Sequence, residues 1–298
     1  MTKQRSRRSF LAGVGAAAAG IGGCTALALD REGGVSMLVA GSLADAVEDG
    51  LREAVDQPLR AEAHGSARVA RLVRSGGKDP DIVSLADTDL FGRVLPVPWY
   101  AAFATTSLVV AYTTETAGGR RVRDAGREGW YDALRSPDVR LGRTDPDLDP
   151  LGYRTLFLFS LAADHYGVAG LADDVLAADQ LYPETQLLSQ FETGGVDAAV
   201  VYRSVAEARD LEYVSLPAAV DLSDPERADY YARVSYELPD GTVVEGGPIE
   251  YGTTMRRATP AVRAVFEEHL TGEYLEAFGF ETPAEYPRYT GDVPDALA

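Results

Sequence analysis

The chain has 298 residues, 46% of them hydrophobic, and a formal net charge of −18 at pH 7. That length suits one large or two medium domains with a substantial core. Lys3 and Lys78 are its only lysines and no basic stripe exists to pair phosphates, so nucleic acid is disfavoured and not expected as a partner; a single cysteine, Cys24, excludes a disulfide framework.

The first residues read as an address. Arg7-Arg8 and then Phe10-Leu11 open an Ala/Gly-rich apolar run to Gly20, the form of a twin-arginine export signal. The run is too short and too glycine-rich for a stable membrane-spanning helix. Small residues then lead to Cys24, as in a lipobox, which predicts a lipid anchor at the outer face of the cytoplasmic membrane. The leader, residues 1–24, holds Lys3, Arg5, Arg7 and Arg8 and no acid, so the four positive charges leave −22 on the remainder. An acidic, lysine-poor surface stays hydrated in concentrated salt, and a halophile is expected.

"VSMLV" (35–39) is a short apolar run consistent with a buried parallel strand, and Leu43, Ala46, Val47, Leu51, Ala54 and Val55 recur at helical spacing behind "AGSL". Ser42 therefore falls in N-cap position. The unit repeats: "LRAEA" (59–63) is a strand, "HGS" a turn, and Val69, Leu72 and Val73 mark a helix that Ser66 would cap. "DIVSLA" (81–86) is a third strand, ending at Asp87. Alternating β and α predicts a parallel sheet whose ligand lies beyond the strand ends, where helix N-termini point. Each serine alone is an ordinary cap; two at equivalent places point towards a shared anion.

"TTSLVVAYTT" (105–114) is a strand, "EGWYDALRSP" (128–137) a short helix and "VRLGRT" (139–144) a strand. "TDPDLDPLGYRT" (144–155) then sets Asp145, Asp147 and Asp149 on alternate positions. An EF-hand loop starts this way but needs Gly sixth and Glu twelfth, where Pro150 and Leu156 stand, so calcium is excluded. Helices follow at 153–167 and 183–194, strands at 196–204 and 211–217, and a hairpin turning at Pro239-Asp240-Gly241. Helices and a polar tail close the chain.

In this order, "AGSL", "GSARVARLV", "SLADTDL", "DPDLDPLGYRT", "ETGGVDAAVVYRSVA" and "PIEYGTTM" resemble segments of archaeal-type tungstate/molybdate-binding proteins of ABC importers. The resemblance runs from about Val35 to Phe280. It implies the α/β fold of periplasmic binding proteins, type II: two lobes, each a mixed, mostly parallel sheet flanked by helices, joined by hinge crossings near 104–112 and 203–214. Residues 35–105 and 206–285 would form the first lobe, 106–205 the second, and 286–298 a tail. The resemblance also implies a site in which Asp149 and Glu184 approach the metal of the oxyanion. Ser42 and Ser66 would hold oxo groups and Tyr202 would line the cavity. The ligand would be molybdate or tungstate, with no cofactor, and the partner an ABC permease; the protein would be a monomer and not an enzyme. A carboxylate repels a dianion unless the anion contains a metal that accepts another oxygen ligand, which molybdenum and tungsten do and sulfur does not. The alternatives are the same fold re-tuned for sulfate, phosphate or a carboxylate, and a hydrolase pairing His64 with Ser66 near Asp149.

Overall fold

The computed structural model describes residues 34–176, 180–294 and 297, apart from the side chains of Glu184 and Thr185. The twin-arginine segment and Cys24 lie outside the described residues. In chain order the strands are β1 (Val35–Ala40), β2 (Leu59–His64), β3 (Ile82–Leu85), β4 (Trp99–Thr105), β5 (Leu108–Tyr112), β6 (Leu141–Thr144), β7 (Leu181–Tyr182), β8 (Ala198–Tyr202), β9 (Tyr213–Ser215), β10 (Ser235–Glu237), β11 (Val243–Glu245), β12 (Glu250–Met255) and β13 (Arg288–Gly291).

They build two main sheets. The first has the order β13-β4-β12-β3-β1-β2 and the second β7-β6-β8-β5-β9. β1, β2 and β3 run parallel, as the opening βα alternation predicts; β12 is antiparallel to β3 and β4, and β13 to β4. In the second sheet β6 is parallel to β7 and β8, whereas β5 is antiparallel to β8 and β9. Strands covered on both faces need apolar side chains at nearly every position. That is why "IVSL" in β3 and "AAVVY" in β8 are buried throughout.

The helices obey the same economy. In Ser66–Arg74, Val69, Ala70 and Val73 are buried and Arg68 and Arg74 exposed, an amphipathic face turned to the sheet. Burying each of the two valines contributes on the order of 1.5–3 kcal/mol. The helix Pro150–Tyr166 buries residues from Pro150 to Ala162 on most of its circumference. Asp149 caps its start, Pro150 supplies the preset first turn, and Gly167, at φ 67°, ends it in the left-handed conformation.

Two sequence-based boundaries need correction. The chain passes from the first sheet to the second between Thr105 and Leu108, but residues 213–215, assigned from sequence to the first lobe, extend the second sheet as β9. The return falls beyond them, where Leu108 N–H donates to Asp221 and Ile249 N–H to Leu222. The tail, 286–298, supplies β13, paired with β4 from Arg288 opposite Ala102 to Gly291 opposite Trp99. Strand pattern identifies a strand but not its partner, and both strands join edges through long-range pairing. The helical region before "EGWYDALRSP" also starts earlier, at Ala117, and bends at Gly126.

Candidate functional site

The three carboxylates of the Asp loop do three different things. Asp145 Oδ1 accepts the N–H of Asp147 at 2.9 Å and closes a local turn. Asp147 Oδ1 accepts the Tyr236 hydroxyl at 2.7 Å, and its carbonyl accepts Arg71 at 2.5 Å. Asp149 turns inward. Only 1% exposed, its Oδ1 accepts the Gly152 N–H at 3.1 Å and the Thr144 hydroxyl at 3.0 Å. Burial pushes its carboxyl up to about 7, outweighing the backbone and Thr144 hydrogen bonds that favour the anion.

The Ser66–Arg74 helix starts against this loop, with Arg68 N–H donating to the Leu148 carbonyl at 3.0 Å. Gly65 lies so close that a Cβ there would stand 2.5 Å from Asp149 Cβ and from Leu148 O. Gly65→Ala should therefore push the Asp loop away, costing about 1–3 kcal/mol of stability. Urea midpoints and a tungstate titration of the same variant would check that both stability and affinity fall.

Neither serine is an N-cap, contrary to the sequence reading. Gly65 holds the cap position before Ser66, and Ser42 lies inside a short 3-10 turn, Gly41–Leu43. The reason is tertiary: each hydroxyl has a long-range partner. Ser66 Oγ accepts the Ala86 N–H at 2.9 Å and Ser42 Oγ accepts the Tyr251 hydroxyl at 2.9 Å. A serine that accepts in this way keeps its own hydrogen for donation. His64 bonds Glu62 Oε1 at 2.7 Å, so the imagined His64–Ser66 pairing is replaced by two separate bonds.

Tyr202, fully buried at the end of β8, accepts Arg154 at 2.9 Å, with the guanidinium 5.8 Å from its ring centre. Its ring meets that of Tyr251 edge-on at 6.0 Å. Ser42, Tyr251, Tyr202, Arg154, Ala86 and Ser66 are thus linked in one run of contacts, with Asp149 against its Gly65 end. Ser42 and Tyr202 also share a cavity of about 90 Å³ with Leu151, Leu187, Leu188 and Val201. That is far below the roughly 300–1,000 Å³ of pockets for drug-sized molecules, so the space suits a small ion. Asp45 and Arg209, each about one-third exposed, line its solvent side as a bidentate pair at 2.7 and 2.9 Å. Ser66 and Asp149 are not among the cavity's lining residues. Glu184 opens the helix Glu184–Glu192, which supplies Leu187 and Leu188, but its side chain lies outside the described residues.

Sequence reasoning missed Arg154, Tyr251 and Thr144 as site neighbours. Arg154 stood in the quoted "GYR" and Tyr251 in "PIEYGTTM", but nothing local says whom a buried arginine or tyrosine will meet.

A small cavity walled from one side by the turn after β1 and from the other by β8 and its neighbouring helices is the arrangement of a two-lobed solute-binding protein. A family model described as bacterial extracellular solute-binding protein matches residues 35–273, and the chain belongs to that family. It is 55% identical over 294 residues to a Haloferax volcanii protein provisionally named an ABC transporter molybdenum-binding protein, with 97% of this chain and 96% of the other covered. It is 31% identical over 269 residues to the molybdate/tungstate-binding protein WtpA of Thermococcus kodakarensis, covering 79% and 75%. The periplasmic molybdate-binding protein of Azotobacter vinelandii shares the fold, at TM-score 0.56 and 15% identity, over 84% of this chain and 99% of that one.

Proposed function

We propose that this protein captures molybdate or tungstate outside the cytoplasmic membrane and delivers it to an ABC permease. In this reading it is exported by the twin-arginine route, held by a lipid on Cys24, and acts as a monomer in transport and not in catalysis. The relatives' names support the ligand class, and the acidic, lysine-poor composition supports work in concentrated salt. The observation that carries the reading is Asp149, a buried carboxylate packed on the glycine that precedes Ser66, whose contacts run through Ala86 and Arg154 to Tyr202 on the wall of a small cavity. An ionised carboxylate there would repel a sulfate dianion, whereas the metal of molybdate or tungstate accepts it as a further oxygen ligand. Sulfate is thereby disfavoured at a site that binds the other two.

The raised carboxyl of Asp149 favours a second reading. Held neutral, it would donate a hydrogen bond to any tetrahedral oxyanion, and sulfate would bind as well. The two readings differ in sign with pH. Binding that needs the anion strengthens as pH rises through about 7, and binding that needs the acid weakens.

Glu184 is proposed as the second carboxylate towards the metal. Glu184→Ala should then weaken tungstate binding by about tenfold or more, by the scale of a charge-assisted contact. Calorimetry giving an unchanged affinity would remove Glu184 from the site and leave Asp149 as its only proposed acid.

A further inference from the structure

The "GYR" that follows the Asp loop ends in two side chains whose polar atoms bond outside that loop. Tyr153 and Arg154 stand on the helix Pro150–Tyr166, which packs on β6 and β8 of the second sheet. Their polar ends instead reach the residues just past β3, in the first sheet. Tyr153 Oη donates to Asp87 Oδ2 at 2.5 Å, and Arg154 donates to the Ala86 carbonyl at 2.6 Å. Arg154 also lies 3.4 Å from the same Asp87 oxygen. None of the three side chains is open to solvent: Tyr153 is 0%, Arg154 4% and Asp87 7% exposed.

The Arg154 guanidinium ties one wall of the cavity, at Tyr202, to the Ser66 end of the first sheet, which lies outside the cavity lining. Ala86, whose carbonyl Arg154 holds, gives its N–H to Ser66 Oγ, and Arg154 gives a second hydrogen bond to Tyr202. A buried arginine–aspartate pair adds little to a permanently closed wall, because desolvation offsets most of the attraction. It serves better as a conditional contact: when two lobes hinge apart, each group returns to water, and when they close each needs the other. Asp45 and Arg209 also bridge the cleft, but exposed pairs of that kind contribute little.

We propose that Asp87, Tyr153 and Arg154 form the clasp that holds the cavity closed, with Arg154 the positioning residue that sets Ser66 and Tyr202 against the same ligand. The proposal rests on the oxyanion-binding reading above and deepens it. Asp87 touches no ligand, yet ligand residence time depends on it.

The test is stopped-flow tungstate binding and thermal melting, with and without tungstate, for wild type, Asp87→Asn and Tyr153→Phe in concentrated KCl. The clasp predicts association close to wild type and dissociation faster by about 10- to 100-fold in Asp87→Asn, the scale of a lost charge-assisted hydrogen bond. Tyr153→Phe should move the same way by less. Melting of the ligand-free variants should stay near wild type while the rise produced by tungstate shrinks. Lower ligand-free melting with the tungstate-induced rise intact and dissociation unchanged would make the cluster merely structural and overturn the proposal. Should Asp87→Asn fail to fold, Tyr153→Phe decides by the same criteria. Wild-type protein that binds neither tungstate nor molybdate overturns the functional reading and the clasp with it. Normal wild-type binding with both variants unaltered overturns the clasp alone.

Discussion

Asp149→Asn is expected to lower tungstate affinity by about 100-fold or more while making the ligand-free protein more stable at neutral pH. The first half follows from losing the buried acid packed against Gly65 at the start of the Ser66 helix. The second follows from linkage. The folded carboxyl, raised to about 7, keeps a proton that the unfolded chain, at its ordinary value of 3.8, has already lost. The stability this contributes is fully present below the unfolded value and is lost as pH rises through about 7. Asn escapes that loss because it does not ionise. Asn also caps a helix as well as Asp does, so the Pro150 helix keeps its start. A variant that lost binding and also melted earlier at pH 8 would point to a structural carboxylate instead.

His269→Leu is expected to cost about 2–4 kcal/mol near pH 7, with a dependence on pH opposite to that of Asp149. His269 is fully buried, with Nε2 2.7 Å from the Ser84 hydroxyl and Nδ1 2.7 Å from that of Tyr274. Leucine strands both hydroxyls. Burial drives the imidazole down to about 3 from 6.5, so the folded protein refuses a proton that the unfolded chain takes. Its contribution is present above the unfolded value and is lost as pH falls towards about 3, by roughly 1.4 kcal/mol per unit. In the wild type this slope opposes that of Asp149 over much of the same range. Urea midpoints from pH 4.5 to 7.5 at constant KCl should therefore be nearly level for wild type. They should fall towards acid in Asp149→Asn and rise towards acid in His269→Leu. Parallel curves for all three proteins would contradict both assignments.

Local pattern carried far in this chain, and it stopped at a physical boundary. The largely apolar runs of β1, β3, β5 and β8 and the turn at Pro239-Asp240-Gly241 depend on neighbours in sequence. Each was legible. What distance decides was not: β13 pairs with β4 across most of the chain, β9 joins the second sheet and not the first, and Ser42 and Ser66 bond Tyr251 and Ala86 instead of capping helices. The site divides in the same way. Residue types and the order of the motifs pointed to Ser42, Ser66, Asp149 and Tyr202, but the contacts that link them run through Arg154 and Tyr251, whose partners are set only once the two sheets meet.

The most direct test of the central claim, a carboxylate that accepts the metal of an oxyanion, is calorimetric titration of the mature domain with tungstate, molybdate and sulfate at pH 6 and pH 8 in concentrated KCl. The account predicts tight binding of the first two, tighter at pH 8 by up to about tenfold, with proton release on binding near pH 6 and no heat from sulfate. Equal binding of sulfate, or tungstate binding that weakens as pH rises, would mean that Asp149 acts as a neutral hydrogen-bond donor and would contradict it.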